Sequence, residues 1–366
     1  MKIGILGTRG IPNNYGGFEQ FAEFFATYLV DKGHEVYVYS SHTHSYQETT
    51  FNGVHIIHCK DPEDRMGTVG QFFYDLNCIL DSRKRNFDIL LQLGYTSSTI
   101  WRRLLPKKSI VITNMDGLEW KRSKYSKPVR KFLKYAEKLG VKGSDYLVAD
   151  SIGIQQHLKE TYGASSRFIA YGANVFENPD VSKLDAYNLK PDSYNMLIAR
   201  MEPENNIETI LDGVAAAESP TPMLVIGKYD ATEFGRQMKA KFQAYEHIRF
   251  LGGIYDLNML DNLRYFSKVY FHGHSVGGTN PSLLEAMASN TLIVAHNNQF
   301  NGAILGEDAF YFKDASEVSA HLNSITSKQS HSDKVRRNID KIKELYSWEI
   351  INKAYLNYFE EVYESR

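Results

Sequence analysis

Short apolar runs alternate with segments of helical spacing along almost the whole chain. Lys2-Ile3-Gly4-Ile5-Leu6-Gly7 reads as a buried strand, and the turn-rich stretch 8–17 follows it. Phe18, Phe21, Ala22, Phe25, Tyr28 and Leu29 then recur at helical spacing, Gly33 stops the helix, and 34–40 reads as a second strand. Strand, glycine loop, helix and strand make a βαβ unit. Further strands are predicted at 54–58, 87–94, 109–113, 146–149 and 168–171, with a helix at 67–82. Residues 175–193 lack periodicity and contain Asn178-Pro179 and Lys190-Pro191, which predicts a linker. The pattern then restarts, with strands at 194–199, 222–227, 248–251, 269–271 and 291–295 and helices at 205–217, 233–245 and 257–266. From about 317 the chain reads as helical. Trp348, Ile351, Tyr355 and Phe359 stripe a last helix whose length would let it cross back onto the first half. Such alternation predicts parallel sheets covered on both faces. The expected fold is therefore α/β, with two Rossmann-like domains facing each other across a cleft. Their expected bounds are 1–178, joined by 348–366, and 179–347.

In sheets of this kind ligands sit at the carboxyl ends of strands. Gly277-Gly278-Thr279-Asn280 followed by Pro281 lies at such an end: Asn280 suits an N-cap, Pro281 the first helical position, and glycines admit close approach of backbone N–H groups. A helix opened this way is an anion site. Glu285 lies about one turn inside it and could accept hydrogen bonds from sugar hydroxyls; an ordinary solvated glutamate is the alternative. Gly16-Gly17 could offer N–H groups to a phosphate or simply make a tight turn. The loop lacks the dinucleotide G-x-G-x-x-G spacing and the Gly-Lys-Ser/Thr of a P-loop. Asp116 and Gly94-Tyr95-Thr96 also fall at strand ends and could converge with the 8–17 loop. His272 and His274 share one side of a strand, but no third ligand accompanies them, so no metal is expected.

Composition narrows the class. A hydrophobic fraction of 43% over 366 residues is that of a soluble globular protein large enough for two domains. A net charge of −1 gives no global reason to bind nucleic acid. Cys59 and Cys78 have neither metal spacing nor the number for a disulfide framework, which predicts a reducing, cytoplasmic setting. The chain opens directly on an apolar strand, so no signal segment is expected. No apolar run approaches the roughly 20 residues that span a bilayer.

Positive charge is nonetheless concentrated. Lys121, Arg122, Lys124, Lys127, Arg130, Lys131, Lys134, Lys138 and Lys142 face a single acid, Glu137, with apolar residues interleaved, and Arg102 and Arg103 lie upstream. A basic amphipathic helix suits an anionic membrane surface; the alternative is a solvated helix whose apolar stripe is core.

The Pro-Ser-Leu-Leu-Glu-Ala-Met-Ala helix, the two α/β halves and the Ala199–Asn206 turn resemble family 4 retaining glycosyltransferases of GT-B fold. The likeness sharpens toward a bacterial subgroup of surface-polysaccharide rhamnosyltransferases. Three motifs carry it: Gly-Thr-Arg-Gly-Ile-Pro with Tyr-Gly-Gly-Phe-Glu at 7–19, Asn-Met-Asp-Gly-Leu-Glu-Trp-Lys-Arg at 114–122, and His-Gly-His-Ser-Val-Gly-Gly-Thr-Asn-Pro-Ser-Leu-Leu-Glu-Ala at 272–286. The resemblance implies transfer of rhamnose from dTDP-rhamnose to a polyprenyl-diphosphate-linked saccharide for capsule, O-antigen or exopolysaccharide. The setting implied is the inner face of the cytoplasmic membrane, with a peripheral association and no metal or other cofactor. It implies Glu285 on the donor ribose, Gly278, Thr279 and Asn280 near the diphosphate, Arg200 neutralising that diphosphate as it leaves, Gly16 and Gly17 near the donor phosphates, and Asp116 close to the transferred sugar. Ala substitution of Glu285 or Arg200 is expected to lower turnover at least about tenfold with the fold intact.

Two positions depart from the family. Gly277 stands where its first motif glutamate would be, and Asn205 replaces the lysine that usually follows the arginine. Lys228 becomes the candidate second cation. Other readings are a UDP- or GDP-hexose-dependent transferase, a nucleotide-sugar epimerase or phosphorylase, and a nucleotide-sugar-binding protein without turnover.

Overall fold

A computed structural model describes residues 1–14, 16–122, 125–218 and 221–366. Tyr15 of the glycine loop and Lys124 of the basic segment lie outside them. The chain forms two compact units, the first from Met1–Lys121, Tyr125–Tyr171 and Trp348–Arg366, the second from Gly172–Ser347 with Arg122.

The first unit carries an eight-stranded sheet of β1 (Lys2–Leu6), β2 (Glu35–Ser41), β3 (Thr50–Phe51), β4 (Val54–Cys59), β5 (Ile89–Leu93), β6 (Ile110–Asn114), β7 (Tyr146–Ala149) and β8 (Arg167–Phe168). Their order is β3-β4-β2-β1-β5-β6-β7-β8. Every pairing is parallel except β3 with β4. The continuous apolar runs of β5 and β6 are buried at every position, as strands covered on both faces require. The predicted strand at 168–171 shrinks to the two exposed residues of β8. The terminal helix Trp348–Glu364 packs here, its Trp348, Tyr355 and Phe359 rings lying 4.7–6.3 Å from Phe21, Phe24 and Phe25. Tyr355 and Phe359 are buried, each contributing about 1.5–3 kcal/mol. Tyr355 Oη also accepts from Asn114 Nδ2 at 2.9 Å, tying the helix to the end of β6.

The second unit carries β9 (Asn195–Ile198), β10 (Met223–Ile226), β11 (Ile248–Gly252), β12 (Val269–His272), β13 (Ile293–His296) and β14 (Phe310–Phe312), the last not foreseen from periodicity. All pairings are parallel, in the order β11-β10-β9-β12-β13-β14. Residues 175–193 belong wholly to this unit. Leu184 and Leu189 are buried, and Asp180 N donates to Asn262 Oδ1 at 2.6 Å.

Both sheets have a switch point. From β1 the chain builds outward through β2 and β4, then returns to β1's other side with β5. From β9 it builds through β10 and β11, then returns with β12. Loops leaving β1 and β5, or β9 and β12, diverge and leave a crevice between them.

Candidate active site

At the second unit's switch point, β9 leads into Ala199-Arg200 and β12 into the loop from Gly273 to Asn280. Asn206 Nδ2 donates to the Gly273 carbonyl at 2.7 Å, and Ser275 Oγ donates to the Glu204 carbonyl at 2.8 Å. A Cβ at 273 would stand 2.0 Å from the Asn205 carbonyl oxygen, so only glycine permits this approach. Arg200 is exposed beside the crevice. Asn205 is buried and donates through Nδ2 to the Arg200 carbonyl at 2.7 Å. The residue in the family lysine's place therefore shapes the arginine turn and adds no charge. Lys228, exposed after β10, stacks its ammonium 5.2 Å from the Tyr255 ring centroid on β9's other side.

The helix Pro281–Ala288 starts as the sequence predicts. Asn280 Oδ1 accepts from Ser282 N at 3.0 Å, and no acid lies in the first turn. Gly277 takes a φ of 139°, Gly278 follows it, and Thr279 is buried. Glu285 is not a solvated glutamate: its Oε2 pairs with Arg264, whose side chain is 1% exposed.

His272 and His274 stack at the end of β12 with centroids 4.5 Å apart. Both ring nitrogens of His272 and Nδ1 of His274 are buried without a hydrogen-bond partner. Burial, helped by Arg200 and Arg122, pushes the His274 pKa down to about 3; burial and then His274 push His272 well down. The pair is thus neutral. Among the described residues no third ligand joins it to make a metal group.

In the first unit, Asp116 is half-buried just beyond β6. Tyr95 from the β5 end reaches this loop, donating through Oη to the Gly117 carbonyl at 3.1 Å, so the 94–96 and 116 segments meet. Gly16 caps the helix Gly17–Asp31 in extended conformation with no side-chain cap. Glu19, buried in the first turn, accepts from Arg9 N at 2.7 Å, and Glu23 accepts from Asn13 N at 2.6 Å. Burial raises the Glu19 pKa, against the Arg9 hydrogen bond. A polar hollow beside this loop is lined by Arg9, Asn14, Ser41, Thr43, His44 and Asp61. Tyr46 N lies 3.1 Å from His44 Nδ1, and His44 Nε2 is buried without a hydrogen-bond partner.

The basic segment forms the helix Lys127–Gly143. Its apolar stripe is core, with Leu133, Ala136 and Leu139 buried, whereas Lys127, Arg130, Lys131, Lys134 and Lys138 are exposed, as is Arg103; Arg102 is half-buried. Glu137 is 1% exposed. It accepts from Trp120 Nε1 at 3.0 Å and Tyr162 Oη at 2.6 Å and bonds His157 Nε2 at 2.9 Å, anchoring the loop that follows Asp116. No helix among the described residues is long and apolar enough to cross a membrane.

Sequence reasoning missed Glu137 and Arg264. The signal was their phase: Leu133, Ala136, Glu137 and Gly140 share one helical face, as do Leu260, Leu263 and Arg264.

Residues 185–342 match the family model for glycosyl transferases group 1. The match lies within the second unit. Residues 1–174 match a domain of unknown function (DUF1972). No curated protein matches the chain. Solved structures that resemble the whole chain include sucrose-phosphate synthase from Thermosynechococcus elongatus (TM-score 0.82, 15% identity, 100% of both chains). Another is HepE from Anabaena in complex with UDP and glucose (TM-score 0.75, 12% identity, 98% of this chain and 99% of that one). A third is WaaG, a glycosyltransferase involved in lipopolysaccharide biosynthesis (TM-score 0.69, 11% identity, 97% and 98%). At these identities the likeness establishes the GT-B fold. With the group 1 match it supports a glycosyltransferase.

Proposed function

We propose that the chain transfers a sugar, with retention, from a nucleotide-diphosphate sugar bound at the second unit's switch point to an acceptor hydroxyl. One observation carries the reading: Arg200 and the Gly277–Asn280 opening of a capped helix leave adjacent strands through hydrogen-bonded turns, with Glu285 one turn further along. Backbone N–H groups, the helix dipole and Arg200 would stabilise the departing diphosphate without a metal. Gly278, Thr279 and Asn280 would contact it, Lys228 would add a second cation, and Glu285 would accept from the ribose. Asp116 is the polar candidate beside the transferred sugar. The first unit would take the acceptor, and its polar hollow offers donors and acceptors to a saccharide.

The sugar we favour is rhamnose from dTDP-rhamnose, and the acceptor a lipid-linked saccharide of a surface polysaccharide. The exposed cations of Lys127–Gly143 support a peripheral membrane position, each worth about 1 kcal/mol near an anionic surface. WaaG's role in lipopolysaccharide biosynthesis favours an envelope glycan. A UDP-hexose donor is the second reading, favoured by the UDP and glucose bound to HepE.

Thermal unfolding with millimolar dTDP, UDP or GDP tests the proposal. A ligand at about 100 times its Kd stabilises by roughly 2.7 kcal/mol. Preference for dTDP supports rhamnose, and preference for UDP supports the hexose reading. No transfer from either donor class to a lipid-linked acceptor, and no stabilisation by any nucleotide, would sink the function.

A further inference from the structure

We propose that Arg264 is a positioning residue for donor recognition, one that aims the Glu285 carboxylate from beneath the helix at the ribose hydroxyls. This rests on the donor-site reading given above.

Arg264 ends a helix, Leu257–Tyr265, whose Leu260 and Leu263 are buried in the core. Its guanidinium points the same way, and only 1% of the side chain reaches solvent. Nη1 donates to Asp261 Oδ1 at 2.8 Å, and Nη2 donates to Glu285 Oε2. Ser289 Oγ lies 3.2 Å from Asp261 Oδ1 and 2.7 Å from the Glu285 carbonyl, so both ends of the network are fixed to one helix end. Glu285 itself is 18% exposed, so the buried fork holds a carboxylate that still reaches solvent.

Physical chemistry gives this arrangement a purpose beyond stability. A buried ion pair is a poor way to stabilise a fold, because apolar residues of similar volume do it as well. What a fork does better is hold a carboxylate in one orientation. A carboxylate recognises a sugar hydroxyl only when it is held toward it, and here Arg264 fixes Oε2 from the protein side while its other arm is fixed by Asp261. Lysine would keep the charge and lose the two-armed link between Asp261 and Glu285.

The experiment is calorimetric titration of the full chain with matched nucleotides: dTDP against 3′-deoxy-dTDP, and UDP against 2′,3′-dideoxy-UDP. Wild type, Arg264→Lys, Asp261→Asn and Glu285→Gln are compared, with thermal unfolding confirming that each is folded. Wild type is expected to prefer the hydroxyl-bearing nucleotide at least about tenfold. Arg264→Lys should cut that preference at least about fivefold while leaving affinity for the deoxy nucleotide within about twofold. It should add nothing in the Glu285→Gln background. Asp261→Asn, which frees the fork from its other side, should lower the preference in the same direction and keeps the test alive if Arg264→Lys fails to fold. An unchanged preference in both variants overturns the proposal. So does an equal loss for both nucleotides, the mark of a merely structural residue. Failure of wild type to bind any of the four nucleotides is a distinct result and overturns the donor site itself.

Discussion

The two switch points share a topology and differ in what fills them. In the first unit the loop after β1 is closed by its own acids: Glu19 and Glu23 accept backbone N–H groups, and Asp75 lies buried below with its carboxylate taking the Ser97 hydroxyl. Glu19 sits in the first turn of the helix Gly17–Asp31, where a carboxylate already draws on the helix dipole. In the second unit the loop after β12 is filled by neutral groups, with two uncharged imidazoles, the Asn280 cap and no acid in the first turn, beside the exposed Arg200. Two parallel sheets thus offer two crevices, and charge selects between them. An anion entering the first meets Glu19 and an Arg9 already paired with Glu63; an anion entering the second meets the exposed Arg200 and a helix start.

Breaking the second crevice should have the largest effects. Glu285→Ala takes away one of the two carboxylates that the buried Arg264 pairs with, Asp261 remaining, a loss of up to about 3 kcal/mol visible as a lower Tm. This revises the expectation of an intact fold, and Glu285→Gln becomes the variant in which to read turnover. Arg200→Ala removes only an exposed side chain, so Tm should hold while turnover falls about 100-fold, the scale of losing one charge-stabilising group. Arg9→Ala, the corresponding cation of the first unit, breaks a half-exposed pair with Glu63 and should cost no more than about 1 kcal/mol and little turnover. Equal kinetic losses from Arg9→Ala and Arg200→Ala would erase the contrast.

Acid separates the units by sign. The folded His274 holds a pKa of about 3 against an ordinary 6.5, burial being the main cause. Its contribution to stability is complete above pH 6.5 and is lost as pH falls toward 3, with a limiting slope of about 1.4 kcal/mol per pH unit. Asp75 runs the other way: burial lifts it from 3.8 to about 7, against its Ser97 hydrogen bond. Its contribution is complete below pH 3.8 and is lost as pH rises through 7. Calorimetric unfolding between pH 4 and 7 should therefore show His274→Phe flattening the acid loss and Asp75→Asn deepening it. Identical pH profiles for the two variants would contradict the assignment.

Much of this frame was legible in the residues. Strands such as 146–149 announced themselves by unbroken apolar runs, and Asn280-Pro281 marked a helix start from local chemistry alone. The buried charges were not legible, because Glu137 and Arg264 satisfy an apolar phase with a polar residue, and only their distant partners justify that. Residues 175–193 misled for the opposite reason. Buried leucines and scattered hydrogen bonds, such as Asp180 N to Asn262 and Phe176 N to the Ala288 carbonyl, hold them to the second unit without any period to signal it.

The smallest effects probe the contrast most finely, through a matched pair of glycines. Gly277 holds a φ of 139°, a conformation that side chains resist, although no atom lies within 4 Å of a Cβ there. Gly277→Ala should therefore cost about 1–2 kcal/mol through the backbone, and weaken nucleotide binding by reshaping the loop before Asn280. Gly16 is extended at a φ of −168°, open to any residue, and a Cβ would stand 3.4 Å from Glu19 Oε2, an ordinary contact. Gly16→Ala should stay within about 0.5 kcal/mol of wild type and within about twofold in nucleotide affinity. A drop of more than about fivefold at Gly16, measured by the same titration, would mean that the first unit's loop touches the donor despite Glu19.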